Sequence, residues 1–310
     1  QTTLTGHYRS QSLELIDFSN THFYDGKLRM LPQRDKFLND EPSIQYLQVD
    51  GVWEKNTNRV EAQQVVDLIE GLLLQEIANI GVITFNYKQQ ELIQDLLEER
   101  EINLPAKLFV KNIENVQGDE RDVIIFSIGY APSPSGKMRL QFGSLNLDKG
   151  ENRLNVAITR ARLKIFVVSS ILPYELNVSQ SRNKGPKLLK EYLQYAYDVS
   201  EGKFTPKLHA TNAQGAHWFL KQRIKQLSDG KVVLRSDLPF ADLALIEPDR
   251  TGLIMTDDNL FYQSLSAKDA FAYIPFLLKE KGWLFKRFYS RAYWRQYDEF
   301  VEAYRKFVGE

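Results

Sequence analysis

Cysteine is absent from this sequence of 310 residues, so a disulfide framework, a thiol nucleophile and a cysteine-ligated zinc site are all excluded. Histidine is scarce, and its four positions are His7, His22, His209 and His217. Their spacing matches no common metal-ligand pattern. We therefore expect no metal site built from cysteine or histidine side chains.

A net charge is also missing, because 40 Lys and Arg residues balance 40 Asp and Glu residues. The chain as a whole lacks the basic footprint of many nucleic-acid-binding proteins. Its apolar runs stay far below the roughly 20 residues that a membrane span needs, and no signal peptide is recognisable. Since it begins with Gln1 and has no targeting segment, we expect a piece of a larger cytoplasmic protein with no membrane partner.

A phosphate-binding loop is the third absence. Residues 129–137 (GYAPSPSGK) look similar at first, but six residues separate Gly129 from Gly136. A phosphate-binding loop has four residues between its two glycines. Its lysine is followed by Ser or Thr, which holds magnesium, whereas here Met138 follows the lysine. The Ser and Pro content favours a surface loop. The chain is therefore not expected to hold a nucleoside triphosphate by itself.

Residues 1–200 alternate between helical and strand patterns, which predicts an α/β domain with a mainly parallel sheet. Apolar residues at helical spacing predict helices at residues 60–74, 89–99, 153–162 and 186–197. Short apolar runs predict buried strands at residues 81–85, 122–128 and 164–169.

Glycine, proline and charged residues at positions 198–207 mark a boundary, so residues 205–310 are expected to form a second, smaller α/β domain. The pattern there predicts helices at 214–227 and 267–281, and strands at 232–238, 241–246 and 252–255. An aromatic and basic segment follows.

Four short segments carry a resemblance to a known family. In chain order they are GHYRS (6–10), TFNYKQ (84–89), NVQGDERD (115–122) and NVAITRAR (155–162). Their order resembles the last motifs of superfamily 1 helicases, in the Upf1-like branch, over about residues 4–195. The resemblance implies a RecA-like fold, namely the second of the two motor domains of an ATP-dependent DNA helicase.

The resemblance also implies roles for residues around the nucleotide. Arg160 would be the arginine finger, and Arg9 a second arginine for the γ-phosphate, because arginine stays charged and presents a planar fork of donors to phosphate oxygens. Tyr8 would stack on adenine, Glu120 would bind the ribose, and Gly118 would allow close backbone approach. ATP and Mg would be bound mainly by the missing N-terminal RecA-like domain.

Nucleic-acid contacts are expected from the TFNYKQ segment, although Phe85 and Asn86 replace the Pro and Tyr of the family pattern. Thr84 would donate its hydroxyl to a backbone phosphate, and Asn86 would lie beside it. The alternative for Thr84 is a plain residue at a strand end. Asn58 and Glu61 match another recurrent pattern of the family, and a helix N-terminal cap explains Asn58 equally well.

Residues 239–294 resemble a nuclease-like tail of the PD-(D/E)XK fold, of the very-short-patch-repair type. Asp242 occupies the position of the first metal ligand, but Met255 or Thr256 stands where the second acid is needed. A thioether or a hydroxyl cannot replace a carboxylate for a hard cation. The domain is therefore expected to be an inactive nuclease with Asp242 as a vestige. A register shift could instead bring in one of two neighbouring carboxylates, Asp257 and Asp258.

Residues 281–297 contain five basic residues, seven aromatic residues and no acid. Such interleaving suits a single strand, because cations follow phosphates while bases stack on rings. Arg287 and Arg291 are the candidate contacts. The alternative is that aromatic side chains of this segment pack the core of a small domain. Those side chains are Trp283, Phe285 and Phe288.

The sequence thus favours the C-terminal half of an ATP-dependent DNA helicase or translocase, acting on single-stranded or partly duplex DNA. Two alternatives of other classes remain. One is a helicase fused to an active nuclease, and the other is a non-catalytic DNA-docking fragment that keeps the motor motifs only as structure.

Overall fold

The computed structural model describes residues 9–37, 41–138, 142–179, 181–205, 219–234, 238, 241, 243–247, 250–258, 261 and 266–309. These residues form a mixed α/β protein. The strands are β1 Ile44–Gln48, β2 Ile80–Thr84, β3 Phe109–Asn112, β4 Arg121–Ser127, β5 Ala161–Ser169, β6 Val232–Leu234, β7 Leu243–Glu247, β8 Arg250–Thr256 and β9 Leu284–Phe288.

The α-helices of the described residues are α1 Asp17–Phe23, α2 Arg34–Phe37, α3 Arg59–Leu74, α4 Tyr87–Glu99, α5 Gly150–Ile158, α6 Lys184–Ser200, α7 Phe219–Leu227, α8 Ile274–Glu280, α9 Ser290–Arg295 and α10 Tyr297–Val308. A π-helical turn at Asp269–Tyr273 leads into α8. None of the described helices is long and apolar enough to cross a membrane.

The chain divides into two compact units. The central unit comprises Glu14–Asp25 and Glu41–Thr205, and the second unit comprises Gln1–Leu13, Gly26–Asp40 and Pro206–Glu310. The indole N–H of Trp283 donates to the carbonyl of Pro32 at 2.7 Å, which ties the 26–40 segment to the C-terminal residues. The functional division at residues 1–200 and 205–310 stays a prediction.

The central unit contains a five-stranded sheet in the order β1-β5-β4-β2-β3, and every pairing in it is parallel. The predicted α/β class with a parallel sheet is confirmed, and the architecture is consistent with a RecA-like domain. Successive residues of a strand point to opposite faces. In β4, Ile124 and Phe126 therefore pack with α5 and α6, while Val123 and Ile125 pack with α3 and α4.

One predicted helix ends earlier than its pattern suggested. The helix expected over 153–162 is α5, which stops at Ile158, and β5 begins at Ala161. The hydroxyl of Thr159 donates to the carbonyl of Asn155 at 3.0 Å and so occupies an acceptor of the last helical turn. The carbonyl of Arg160 accepts from the amide of Arg121 at 3.1 Å, which starts the pairing of β5 with β4.

The second unit contains a four-stranded sheet in the order β6-β7-β8-β9. The β6–β7 and β7–β8 pairs are antiparallel, and β8–β9 is parallel. Leu243 and Ile254 pack on one face against α7 and α10, while Leu253 and Met255 pack on the other against α8. Strand β9 lies inside the aromatic and basic segment, where no strand was predicted from the sequence pattern.

Candidate functional site

The parallel sheet separates the predicted residues into two groups. Gly118, Glu120 and Arg160 lie just before β4 and β5, at what we call the amino edge of the sheet. Thr84 and Asn86 lie where β2 ends, at the carboxyl edge. The seven residues of β4 rise about 3.3 Å each, so the two edges are about 20 Å apart. The predicted nucleotide and nucleic-acid contacts therefore fall on opposite edges.

Arg160 occupies the short turn between α5 and β5. Its Nε donates to the carbonyl of Val156 at 2.7 Å, and its Nη1 donates to the carbonyl of Asp119 at 3.2 Å. The second bond joins the TRAR segment to the QGDE segment, which are 41 residues apart in sequence. The guanidinium is thereby held in one orientation at the amino edge.

Gly118 has φ +89°, a left-handed conformation that favours glycine, and no heavy atom lies within 4 Å of the position a Cβ would take. A ligand can therefore approach the backbone there. Glu120 is exposed, and the neighbouring Asp119 forms an ion pair with Lys111 at 2.7 Å. The amino edge thus combines an anchored guanidinium, an open glycine and an exposed carboxylate.

Of the two residues predicted from the GHYRS segment, Tyr8 and Arg9, the structure describes only Arg9. Tyr8 lies outside the described residues. Arg9 is partly buried and belongs to the second unit, whereas Arg160 belongs to the central unit. A joint action of Arg9 and Arg160 on one phosphate stays a prediction.

Thr84 and Asn86 both have structural partners at the carboxyl edge. Thr84 is buried, and its hydroxyl donates to the carbonyl of Asn86 at 2.9 Å. The side-chain oxygen of Asn86 accepts from the amide of Gln89 at 2.9 Å and so caps α4. The nucleic-acid contacts expected from these two residues stay predictions.

A buried polar cluster around Glu61 lies at the same edge. Glu61 Oε1 accepts from the hydroxyl of Ser127 at 2.9 Å and from the amide of Gly129 at 2.6 Å. Its Oε2 accepts from Asn58 Nδ2 at 3.4 Å and from the hydroxyl of Ser170 at 3.5 Å. One carboxyl group therefore links the start of α3 to the segments that follow β4 and β5.

Gln89 completes the Glu61 cluster. Its Oε1 accepts from the amide of Asn58 at 2.7 Å, and its Nε2 donates to the carbonyl of Asn58 at 3.0 Å and to the hydroxyl of Ser127 at 3.2 Å. In the sequence, Asn58 and Glu61 match a recurrent pattern of the family, and Gln89 ends the TFNYKQ segment. Their mutual contact required the fold.

Burial controls the ionisation of Glu61. Because the carboxyl is fully buried, loss of solvation raises its pKa from 4.5 to about 8, against the opposing effect of the Gly129 and Ser127 hydrogen bonds. Glu61 is therefore mostly protonated and neutral near pH 7. The cluster acts as a set of neutral hydrogen-bonding groups that fixes the carboxyl edge.

In the second unit, both carboxylates considered as replacement metal ligands bind protein groups. Asp257 accepts from the amide of Ser290 at 2.9 Å and from its hydroxyl at 2.7 Å. Asp258 accepts from the amide of Lys221 at 3.0 Å, and burial raises its pKa. Asp242 lies outside the described residues. Across the residues that the structure describes, no group of three or more His, Cys, Asp or Glu side chains gathers to hold a metal.

The two arginines of the aromatic and basic segment differ in exposure. Arg287 in β9 donates to the carbonyl of Ala270 at 2.9 Å, and its guanidinium lies over the rings of Phe261 and Phe271 at 5.3 and 5.2 Å. Arg291 is exposed. Two of the aromatic side chains lie in the core, as the core-packing alternative proposed: Trp283 and Phe288.

Known proteins are similar to parts of this chain. A family described as an AAA domain matches residues 1–171. An uncharacterised ATP-dependent helicase of Mycoplasma genitalium is 39% identical over 209 residues, covering 63% of this chain and 18% of the helicase. An uncharacterised ATP-dependent helicase of Methanocaldococcus jannaschii is 25% identical over 211 residues, covering 61% of this chain and 28% of the helicase.

One solved structure also matches, the C-terminal domain of a possible DNA helicase from Lactobacillus plantarum WCFS1. The match has 17% identity and a TM-score of 0.32, and it covers 52% of this chain and 86% of that structure. The chain spans less than a third of the length of either curated helicase.

Proposed function

The chain belongs to the AAA domain family and is a superfamily 1 helicase-like protein, and we propose that it is the C-terminal part of an ATP-dependent DNA helicase. The observation that carries the proposal is the joining of the TRAR and QGDE segments at the amino edge through the bond from Arg160 to Asp119. Two helicase-like segments that are distant in sequence thereby form one corner of the sheet, in which the guanidinium of Arg160 is held in place.

In this proposal Arg160 is the arginine finger. Negative charge builds on the γ-phosphate during phosphoryl transfer, and a positioned guanidinium stabilises it. The bonds to Val156 and Asp119 hold the planar group before the nucleotide arrives, so little reorganisation is needed. Arg9 acts as the second arginine, and Tyr8 contacts the adenine.

The residues at the amino edge fit one side of a nucleotide site. Glu120 is exposed and able to accept a hydrogen bond from a ribose hydroxyl, and the open position at Gly118 admits close approach. When bound, ATP supplies the free energy of its hydrolysis, and Mg neutralises phosphate charge. Since the sequence has no phosphate-binding loop, ATP and Mg are held mainly by a preceding RecA-like domain of the same protein.

The proposed nucleic-acid partner is single-stranded or partly duplex DNA. Thr84 and Asn86 contact its backbone at the carboxyl edge, about 20 Å from Arg160 by the length of β4. For Thr84 this contact requires the buried hydroxyl to exchange its bond to the carbonyl of Asn86 for a phosphate oxygen. The rigid sheet between the edges gives a mechanical link between nucleotide and strand. Arg287 and Arg291 add contacts from the second unit.

The second unit is proposed to be an inactive nuclease-like domain. Asp257 and Asp258 already accept hydrogen bonds from Ser290 and Lys221, so a metal ion would have to replace those donors. We expect no cleavage of supercoiled plasmid with millimolar manganese. Nicking by the 310-residue chain that disappears in Asp242→Asn would refute this part of the proposal.

The proposed function is tested with the longer natural protein and the 310-residue chain side by side. We expect DNA-stimulated ATP hydrolysis and unwinding of a partly duplex substrate by the former, and neither activity by the latter. ATP hydrolysis by the 310-residue chain alone, or a longer protein that hydrolyses ATP without any response to DNA, would contradict the proposal.

Exposure predicts different behaviour for the two arginines of the aromatic and basic segment. Arg291→Glu should weaken single-strand affinity and reduce its salt dependence without changing stability, because the side chain is exposed. Arg287→Ala should mainly lower the melting temperature, since its guanidinium contacts Phe261, Phe271 and Ala270. Fluorescence anisotropy at several salt concentrations, with thermal melts, measures both. Unchanged affinity and salt slope in Arg291→Glu would favour the core-packing alternative.

A further inference from the structure

Strand β3 lies at one edge of the parallel sheet and carries Lys111, which the proposed function does not use. The ammonium group of Lys111 lies 2.7 Å from the carboxylate of Asp119, in the segment that leads into β4. The side chain of Lys111 is 38% exposed and that of Asp119 is 24% exposed, so water and salt screen this ion pair only in part. The pair ties the QGDE segment to the edge strand.

Asp119 makes a second contact through its main chain. Its carbonyl accepts a hydrogen bond from Arg160 Nη1 at 3.2 Å, while its carboxylate accepts one from Lys111 Nζ. The preceding residue, Gly118, has φ +89° and no Cβ, so the chain can turn there more freely than at other residue types. Anchoring the carboxylate of Asp119 therefore also limits the directions in which its carbonyl can point.

Arg160 also bonds to groups of its own turn. Its Nε donates to the carbonyl of Val156 at 2.7 Å, and its Nη2 donates to the hydroxyl of Thr159 at 3.4 Å. Both partners are close in sequence, so these bonds set the guanidinium relative to the end of α5. The bond to Asp119 spans 41 residues and sets the guanidinium relative to the QGDE segment. The orientation of Arg160 at the amino edge therefore depends on where the Asp119 carbonyl lies.

The ring of Phe109 brings two cations to this segment. Lys111 Nζ lies 5.3 Å from the ring centroid, and the guanidinium of Arg121 lies 4.7 Å from it. Lys111 and Phe109 are two residues apart on β3, so their side chains share one face of the sheet. Arg121 also donates from Nη1 to the carbonyl of Glu120 at 2.7 Å. The carboxylate of Asp119 offsets the repulsion between the two cations and so keeps both beside the QGDE segment.

We propose that Lys111 and Asp119 are positioning residues for Arg160. The contacts run from the Lys111 ammonium to the Asp119 carboxylate, and from the Asp119 carbonyl to the guanidinium. The inference rests on the proposed function and deepens it, because it names residues that orient the proposed arginine finger without touching the nucleotide. A guanidinium that stabilises developing charge must already be oriented when phosphoryl transfer begins. Breaking the ion pair therefore slows the chemical step and leaves nucleotide binding intact.

Two substitutions in the full-length protein break the ion pair from either side. Lys111→Met keeps a long side chain beside Phe109 and removes the charge, while Asp119→Ala removes the carboxylate and keeps the main-chain carbonyl. Each should lower kcat for DNA-stimulated ATP hydrolysis about 3- to 10-fold, far less than loss of the arginine itself, because the pair is partly exposed. KM for ATP should stay near that of wild type. Lys111→Arg keeps the charge and the donors, so it should restore most of the turnover.

Binding of a transition-state mimic gives a second measurement that does not depend on turnover. The affinity of Lys111→Met for ADP with aluminium fluoride should fall by about the same factor as kcat, whereas its affinity for ADP alone should not change. In an Arg160→Ala background, Lys111→Met should cause no further loss of kcat or of this affinity, because the lysine acts through the guanidinium. A lysine that only stabilises the fold would lower the melting temperature without this selectivity.

Lys164→Met is the matched control. Lys164 in β5 lies 5.3 Å from the ring centroid of Phe166, two residues along its strand, and pairs with a carboxylate, that of Glu41. Glu41 lies outside the QGDE segment, so this pair does not set the Asp119 carbonyl. The control variant should keep the kcat and both affinities of the wild-type protein.

The outcomes separate the positioning role from the wider function. If Arg160→Ala lowers turnover while Lys111→Met and Asp119→Ala keep the wild-type kcat, the positioning role is wrong and the proposed arginine finger stands. A further loss caused by Lys111→Met in the Arg160→Ala background would also overturn the positioning role, since the lysine would then act by another route. If Arg160→Ala itself hydrolyses ATP normally, the proposed arginine finger fails and the positioning role fails with it.

Discussion

Replacement of Arg160 by alanine should reduce DNA-stimulated ATP hydrolysis by the full-length protein about 10³-fold or more, the order assigned to arginine fingers. Nucleotide binding should remain near normal, because the guanidinium acts on charge that develops only during phosphoryl transfer. Steady-state hydrolysis and equilibrium binding of a fluorescent ATP analogue together measure the two effects.

Two variants act as controls for Arg160. Arg100→Ala removes an arginine that pairs with Asp67 at 2.5 Å and Glu70 at 2.8 Å between α3 and α4, so it should leave turnover unchanged. Arg9→Ala should resemble Arg160→Ala, and the double variant should lose little more, because the proposed function has both groups act on one developing charge. Near-normal ATP turnover by Arg160→Ala would show that Arg160 is not the arginine finger.

The sheet could be predicted from sequence only where strands are covered on both faces. Strands β2, β4 and β5 are buried and nearly continuous in apolar residues, so their pattern is unambiguous. The two edge strands, β1 and β3, were missed. β1 reads IQYLQ, with two polar residues on a partly exposed edge, and β3 has four residues that include Lys111. Such short mixed segments resemble loops.

The functional residues also divide into those that could be predicted from the sequence and those that only the fold brings together. The segments containing Arg160, Gly118 and Glu120 were recognisable because their order matched a family pattern, and the topology then placed them at one edge. The cluster around Glu61 could not be predicted, since Glu61, Gln89 and Ser127 belong to three separate segments that come together only in the folded sheet and helices. The surroundings of Arg287 could not be predicted, because only the fold brings Phe261 and Phe271 against its guanidinium, and its nucleic-acid contact stays a prediction.

Replacement of Glu61 should have the largest effect on stability. Glu61→Ala would remove the acceptor of two buried donors, the hydroxyl of Ser127 and the amide of Gly129. Each lost partner costs about 1–3 kcal/mol, so a total loss of about 3–5 kcal/mol is expected, measured by urea unfolding. Glu61→Gln keeps the shape and an acceptor oxygen, and should cost much less.

The pH dependence distinguishes a protonated Glu61 from an ionised one. The folded-state pKa is raised from 4.5 to about 8, so the folded protein holds this proton more tightly than the unfolded chain. The stabilisation is complete below pH 4.5 and is lost as the pH rises towards 8, by up to about 1.4 kcal/mol per pH unit. The free energy of unfolding of the wild-type chain, minus that of Glu61→Gln, should therefore fall between pH 5 and pH 8. A difference that stays constant or rises over this range would show that Glu61 is ionised in the folded protein.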